Sequence, residues 1–494
     1  MMTILDWLAL IGYLVIICGV GVFFSRRNRN FGEYMFGGGR MPWFAIGISL
    51  IATSVSATTF LGNPADAYGT NMTYLMCNLG AFLAIIIVAF VFIPRFRALN
   101  ASSAYEVLEL RFSKKVRVLA SCFYAAHLLL RTGVLLYGPA IVLSKIFGIN
   151  IFLAISLTSI LAVVYTWFGG LQAVVWTDVL QFVVLMGGGC AALWFCVQEI
   201  GSFSEMARLA SEAGKTKWLD LNLDPSQART LLSAGLVYTV FEVAIRGCDQ
   251  QFVQRYMACK NVREANMSSI LSAFLGLLVG LVFFWVGAAL YVYFQVKGVR
   301  TLPADMDINH VFPHFILEVL PSGLTGLLAA AIFAAAMSSL DSAITALSNT
   351  TVQDFFPGAS DEGDSSRLKR ARFWVVVWGV AGTLAAFLCV AGKQSLLSKA
   401  LFFTSLFTGP LLSLFLFAFF RPNTQARALF WGAIGGALCL LPFSKIPILS
   451  IWEPIYQFAW PWNPLIALTG AICFTLILER FGNWNSPHAG TAGS

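Results

Sequence analysis

The chain has 494 residues, of which 58% are hydrophobic and only 11% charged, against about 25% charged in soluble domains. With a mean hydropathy of +0.77, that balance excludes an ordinary soluble domain, because no single core encloses so much apolar surface, and the solvent must be a bilayer. The basic excess of +8 at pH 7 is spread along the segments between apolar runs, so it is assigned to membrane topology rather than to a nucleic-acid partner.

The first apolar stretch, 4–24, follows MMTILDWLAL, which carries an acid but no basic n-region or small-residue cleavage site, and reads as a retained span rather than a signal peptide. Further stretches follow at 42–68, 73–95, 118–147, 150–169, 173–200, 230–256, 266–296, 322–350, 373–392, 397–420, 428–444 and 462–480. All have 17 residues or more, and ~20 cross ~30 Å of hydrocarbon as a helix. The pattern predicts an all-α integral membrane protein of about 13 transmembrane helices in a single polytopic domain, 1–482, with a disordered cytoplasmic tail at 483–494. Twenty of the 32 basic residues, Arg255 among them, fall between spans on one side and ten on the other, leaving Arg131 and Arg246 inside. That asymmetry places the N-terminus outside and the C-terminus in the cytoplasm.

Between the spans, 103–119 reads as an amphipathic interfacial helix, 201–229 and 297–321 as external loops, and PGASDEGDSSRLKR, 357–370, as a cytoplasmic linker. Ten cysteines sit singly and four histidines are scattered, with no CxxC, HExxH, GxSxG or phosphate-binding loop. Neither an enzyme nor an ATP-driven pump is supported, and no obligatory protein partner is evident.

Candidate site residues begin in GISLIATSVSATTFLGNPADAYG, 47–69, where hydroxyls crowd mid-span and Gly62 and Pro64 break the helix afterwards. Freed carbonyls and hydroxyls at membrane depth suit a hard cation such as sodium, although small residues also serve close helix packing. Arg131, in AAHLLLRTGVLLYGPA, is an intramembrane guanidinium, hence a bidentate carboxylate receptor. A structural pair with Glu242 or Asp341 is the other reading, and Glu242 and Arg246, four apart, are spaced to pair with each other. Asp178, in YTWFGGLQAVVWTDVLQ after the turn at Gly169 and Gly170, sits near a span boundary, where solvation or capping accounts for it as well as a site does. In FAAAMSSLDSAITALSN, 333–349, Ala335, Ser338, Ser339 and Ser342 share one helix face and Asp341 lies at its edge. An acid in such a segment needs a partner, and a cation is the expected one.

At GGGR with the broken span (37–62), SAYEVLELRF (103–112), YTWFGGLQAVVWTDVLQ, DQQFVQRYMACK (249–260) and AAAMSSLDS (334–342), the chain resembles the sodium/solute symporter family along nearly its whole length. The resemblance implies a LeuT-type fold, two inverted five-helix repeats at about 42–200 and 230–420, with one extra N-terminal helix and extra C-terminal helices. It implies sodium at Ala52, Val55, Ala335, Ser338 and Ser339, and in one branch a second sodium at Asp178, Ser338, Asp341 and Ser342, so one or two Na+ ions in all. Arg131 within LRTGVLLYGPAIVLS is similar to the sialic-acid branch, which implies that it holds a sugar acid's carboxylate, with Ser54, Ser56, Thr58, Thr59 and Asn78 facing the substrate. The chain departs from that branch at Asn78, Arg246 and Asp341.

The expected function is sodium-coupled symport of a small organic solute by alternating access, with N-acetylneuraminate, a sialic acid, as the first substrate and the bacterial inner membrane as the setting. Neutral sugars, polyols, small monocarboxylates and amino acids are the alternatives. A sensor lacks an attached signalling module in this sequence, and a channel lacks a repeated filter segment.

Overall fold

A computed structural model describes residues 3–25, 30–99, 103–303, 306–356, 363–391, 395–443 and 458–481. The expected tail at 483–494, residues 357–362 of the linker, and Arg26, Arg27, Arg29 and Lys445 lie outside the described residues. The architecture among those described is helical throughout, without a strand. In chain order the long elements are α1 (Ile4–Ser25), α2 (Trp43–Ser54), α3 (Ala57–Gly69), α4 (Leu75–Ile87), α5 (Lys114–Phe147), α6 (Ile151–Ile200) and α7 (Tyr238–Cys248). There follow α8 (Gln250–Ala258), α9 (Val262–Tyr291), α10 (Leu324–Thr350), α11 (Asp364–Ala391), α12 (Ser395–Phe420), α13 (Ala426–Cys439) and α14 (Asn463–Phe481). Nine helical stretches among the described residues are long and apolar enough to cross a membrane, and Trp43–Ser54 with Thr59–Gly69, bent by 58°, makes a tenth.

Two expected spans, 150–169 and 173–200, are the arms of α6. They are separated at Gly170, whose φ of 54° and ψ of −159° turn the chain. A side chain there would also strike the carbonyl oxygen of Tyr34 at 2.5 Å, so glycine meets a conformational and a steric demand together.

The span 42–68 is broken, but not where Gly62 and Pro64 suggested. Both lie inside α3. The break falls at Val55 (φ −83°, ψ 104°) and Ser56 (φ −97°, ψ 171°), where the backbone is extended. α3 continues through Pro64 and is packed against α9, where Gly287 lets the Pro64 carbonyl approach closely. A second break, not anticipated, interrupts 230–256 at Asp249 (φ −73°, ψ 131°), between α7 and α8. The discontinuity thus recurs in the helix expected to open the second repeat.

The centre of the bundle is α10, buried along nearly all its length and packed on α6, α5 and α1. Its N-terminus is capped from α1, where Asp6 Oδ1 accepts hydrogen bonds from the backbone N–H of Gly323 (2.7 Å) and Gly326 (2.8 Å). A carboxylate satisfies two otherwise orphaned donors there and meets the positive end of the helix dipole.

Several connecting segments differ from expectation. The interfacial helix 103–119 is a short helix, Glu106–Arg111, with Val107 and Leu108 buried, and α5 starts afresh at Lys114. The loop 201–229 contains a helix, Phe203–Glu212, and 297–321 contains Val311–Glu318, while the end of the 357–370 linker is already helix from Asp364. Lys215, expected on an external loop, is buried. Its ammonium donates to the carbonyls of Tyr68 (2.7 Å) and Thr70 (3.1 Å) and lies over the Tyr291 ring, tying the loop to the end of α3. Burial pushes its pKa down.

Candidate ion and substrate sites at the helix breaks

The break in α2–α3 leaves carbonyls at the end of α2 without intrahelical partners, and α10 answers them with hydroxyls. Ser338 Oγ donates to the Ala52 carbonyl (3.1 Å) and lies 3.3 Å from the Ala335 carbonyl, which Ser339 Oγ approaches at 3.4 Å. Val55 closes the same crevice with Gln181. The structure therefore brings Ala52, Val55, Ala335, Ser338 and Ser339 together. Carbonyl and hydroxyl oxygens converging without a sulfur or imidazole suit a small hard cation.

Below that crevice lies a charged cluster sealed from solvent. Asp178 is fully buried on α6, which excludes the solvated or capping reading. Its Oδ2 accepts from Ser49 Oγ (2.5 Å) and from Arg255 Nη2 (3.0 Å). Arg255 also donates to Ser49 Oγ (2.7 Å), Ser342 Oγ (2.6 Å) and the Gln251 carbonyl (2.9 Å). This corrects its placement among the cytoplasmic topology residues: the break at Asp249 carries α8 into the bundle, and the side chain is 1% exposed. Asp341 Oδ1 takes the Ser342 hydroxyl at 3.1 Å, Oδ2 takes the Tyr165 hydroxyl, and Thr53 Oγ1 lies 3.1 Å from Ser342 Oγ. Two carboxylates face one guanidinium. With both ionised, the cluster carries one uncompensated negative charge, and Asp178 Oδ1 has no partner among the described residues.

On the other side of the break opens a cavity of about 520 Å³, lined among others by Ser54, Ser56, Thr59, Asn78 and Arg131. Five of the six expected substrate residues meet there, and the side chain of Thr58 lies outside the described residues. Asn78 Nδ2 donates to the Gly276 carbonyl (3.2 Å), and Ser54 Oγ to the Leu50 carbonyl (3.0 Å). The wall also carries Glu242 and Arg246, which pair at 2.7 Å, with Tyr238 donating to the same carboxylate at 2.7 Å. Arg131 is half-buried and, among the described residues, has neither hydrogen bond nor ion pair, so the structural pairing with Glu242 or Asp341 is not found.

Comparison with known proteins now bears on what such a site serves. Residues 34–436 match the model of the sodium:solute symporter family. The chain belongs to that family. Its relatives include the sodium/sialic acid symporter SiaT of Proteus mirabilis, 33% identical over 88% of this chain and 89% of the relative. The sodium/sialic acid symporter NanT of Aliivibrio fischeri is 30% identical over 88% and 87%, and mouse sodium-coupled monocarboxylate transporter 2 is 28% identical over 92% and 73%. Among solved structures, the substrate-bound outward-open state of a Na+-coupled sialic acid symporter superposes with a TM-score of 0.87 at 28% identity, covering 97% of this chain and 98% of that one. The nucleobase-cation-symport-1 transporter Mhp1 follows with a TM-score of 0.59 at 14% identity and shares the fold. This symporter is accordingly a multi-pass membrane protein of the LeuT-type fold, with sodium as its coupling ion.

Four residues of the cluster escaped the sequence reading. Ser49 and Thr53 are four apart in GISLIATS and so share a helix face, a signal that was present. Arg255 stands in the DQQFVQRYMACK motif but was masked by its place at a span end. Tyr165 opens YTWFGGLQAVVWTDVLQ and looks like an interfacial aromatic.

Proposed function

We propose that this symporter imports N-acetylneuraminate, a sialic acid, with two sodium ions. The observation that carries the substrate is Arg131: among the described residues it is the guanidinium on the cavity wall with no ion pair, since Arg246 is taken by Glu242. A cavity of about 520 Å³ lies within the ~300–1,000 Å³ usual for small-molecule sites. The named sialic acid relatives support the same choice. Ser54, Ser56, Thr58, Thr59 and Asn78 supply the hydroxyl and amide contacts a sugar acid requires.

The first sodium sits at Ala52, Val55, Ala335, Ser338 and Ser339. The second, at Asp178, Ser338, Asp341 and Ser342, neutralises the charge that Arg255 leaves uncompensated. Ion binding draws the α2–α3 break and α10 together, so ion and solute favour one conformation, which is all that coupling requires. The protein lies in a bacterial inner membrane with its N-terminus outside and its C-terminus cytoplasmic.

Sodium-dependent uptake of labelled N-acetylneuraminate into proteoliposomes tests the reading, with Arg131→Ala as the decisive variant. Losing a charge-assisted bidentate contact costs about 2–5 kcal/mol, roughly 30-fold to several-thousand-fold in affinity. Unchanged affinity in Arg131→Ala defeats the carboxylate role. Asp178→Asn changes the sodium-to-solute ratio, and an unaltered ratio removes Asp178 from the second ion site. Mouse monocarboxylate transporter 2 makes a smaller acid the second reading, because Arg131 would hold its carboxylate equally well.

A further inference from the structure

One face of α7 lines the cavity: Tyr238, Phe241, Glu242, Ile245 and Arg246 recur at helical spacing and all stand on its wall. From Tyr238 to Arg246 the helix rises about 12 Å. Three polar side chains share this stripe, and their hydrogen bonds are unevenly used. Glu242 Oε1 accepts from the Tyr238 hydroxyl (2.7 Å) and Oε2 from Arg246 Nε (2.7 Å). A guanidinium and a carboxylate can close on each other through two parallel bonds. Here the carboxylate is divided between Tyr238 and Arg246, so the hydrogen bond within the pair is made through Nε. The Nη1 and Nη2 donors of Arg246 have no hydrogen-bond partner among the described residues.

The guanidinium is nevertheless held in place. Its carbon lies 5.4 Å from the centre of the Phe252 ring, itself on the cavity wall, and the Arg246 carbonyl accepts from the Tyr256 hydroxyl (3.2 Å). Arg246 is buried and lines the cavity, so a solute held there is the partner within reach of the free donors. Charge decides what they take. Arg246 and Glu242 offset each other, and a second carboxylate at this wall would meet Glu242 at close range. A neutral oxygen suits it: the guanidinium N–H groups donate to an acyl carbonyl or a hydroxyl, and the Glu242 oxygens have lone pairs left to accept from hydroxyls. Arg131, on α5, offers the place for a carboxylate.

We propose that Glu242 and Arg246 are specificity-determining residues, which hold the neutral acylamino or hydroxyl-bearing part of the solute while Arg131 holds its carboxylate. The inference rests on the substrate reading above and narrows it to monoanionic acids with a polar, uncharged tail, against short monocarboxylates. A short acid on Arg131 leaves the Arg246 fork unpaired, and a site built to hydrogen-bond a group discriminates against the analogue that lacks it.

The test compares N-acetylneuraminate with lactate, an acid without such a tail, by isothermal titration of the full-length protein at saturating sodium, directly and in competition. In the wild type, N-acetylneuraminate should bind at least about tenfold more tightly, and equal affinities overturn the proposal without any variant. Arg246→Lys keeps the charge and the pairing with Glu242 but replaces the planar fork by a single ammonium. It should weaken N-acetylneuraminate about 10- to 100-fold, as for hydrogen bonds to a charged group, while lactate moves by less than about threefold, as for uncoupled groups. Glu242→Gln combined with Arg246→Gln removes both charges together, orphans neither, and should show the same split, which keeps the test standing if the lysine variant misfolds. Equal losses for the two acids, or unchanged N-acetylneuraminate affinity, overturn the role of the pair and leave that of Arg131 intact. Failure of N-acetylneuraminate to bind the wild type, or its unchanged binding in Arg131→Ala, overturns the substrate reading and this inference with it.

Discussion

Replacing Arg255 by methionine probes the buried cluster most directly. Four hydrogen bonds hold the guanidinium: to Ser49, Gln251, Asp178 and Ser342, at 2.6 to 3.0 Å. Methionine fills much of the space but supplies no donor. Asp178 keeps the Ser49 hydroxyl at 2.5 Å and loses its counter-charge in a site with no access to water. Breaking a buried pair from one side costs about 3–5 kcal/mol, well above the ~0–1 kcal/mol of an exposed pair. Denaturant unfolding in detergent, first without sodium, should show that loss in Arg255→Met. Adding Asp178→Asn removes the orphaned charge, and the double variant should recover part of the loss, with a coupling energy of about 1–3 kcal/mol. The single variant also carries one more uncompensated negative charge, so sodium should stabilise it more steeply than it does the wild type. Stability within about 1 kcal/mol of wild type, or an identical loss with and without Asp178→Asn, would refute the account of Arg255 as the counter-ion of Asp178.

Ser339→Ala removes one hydroxyl from the first ion site, worth about 1–2 kcal/mol, and should raise the sodium concentration for half-maximal uptake roughly 5- to 30-fold; an unchanged requirement excludes Ser339 as a ligand. Gly287→Ala would place a methyl group 2.3 Å from the Pro64 carbonyl oxygen and 2.7 Å from Ala67 Cβ. That clash is with backbone, so it should cost at least the ~1–3 kcal/mol typical of overpacking and lower the Tm, whereas an unaltered Tm would mean that α3 and α9 are free to separate.

The sequence made the membrane class and most helices legible because apolar run length is a direct record of bilayer thickness. It made the serine-rich α10 and the Ser/Thr-rich α2–α3 region legible because hydroxyls and an acid are anomalous in such runs. The breaks were harder. Proline and glycine mark helix interruption in water, but Pro64 continues α3 while Val55, Ser56 and Asp249 interrupt their helices, because tertiary partners decide which freed carbonyls are satisfied. Arg255 was misread for the same reason. Counting charges along a line assigns a basic residue at a span's end to water, and only the turn at Asp249 reveals that its helix points inward. The Glu242–Arg246 pair was legible because i,i+4 spacing is local, whereas Arg255 and Asp178 are separated by 77 positions and meet through the fold alone.

The carboxylate of Asp6, on the neighbouring helix α1, holds the first backbone amides of α10. Whatever is done to the first few residues is therefore transmitted to the helix that carries Ser338, Ser339 and Asp341. A purification handle or fluorescent reporter joined there, or a truncation that reaches Asp6, would alter the ion dependence under measurement. Labels for transport or imaging experiments belong at the opposite end of the chain.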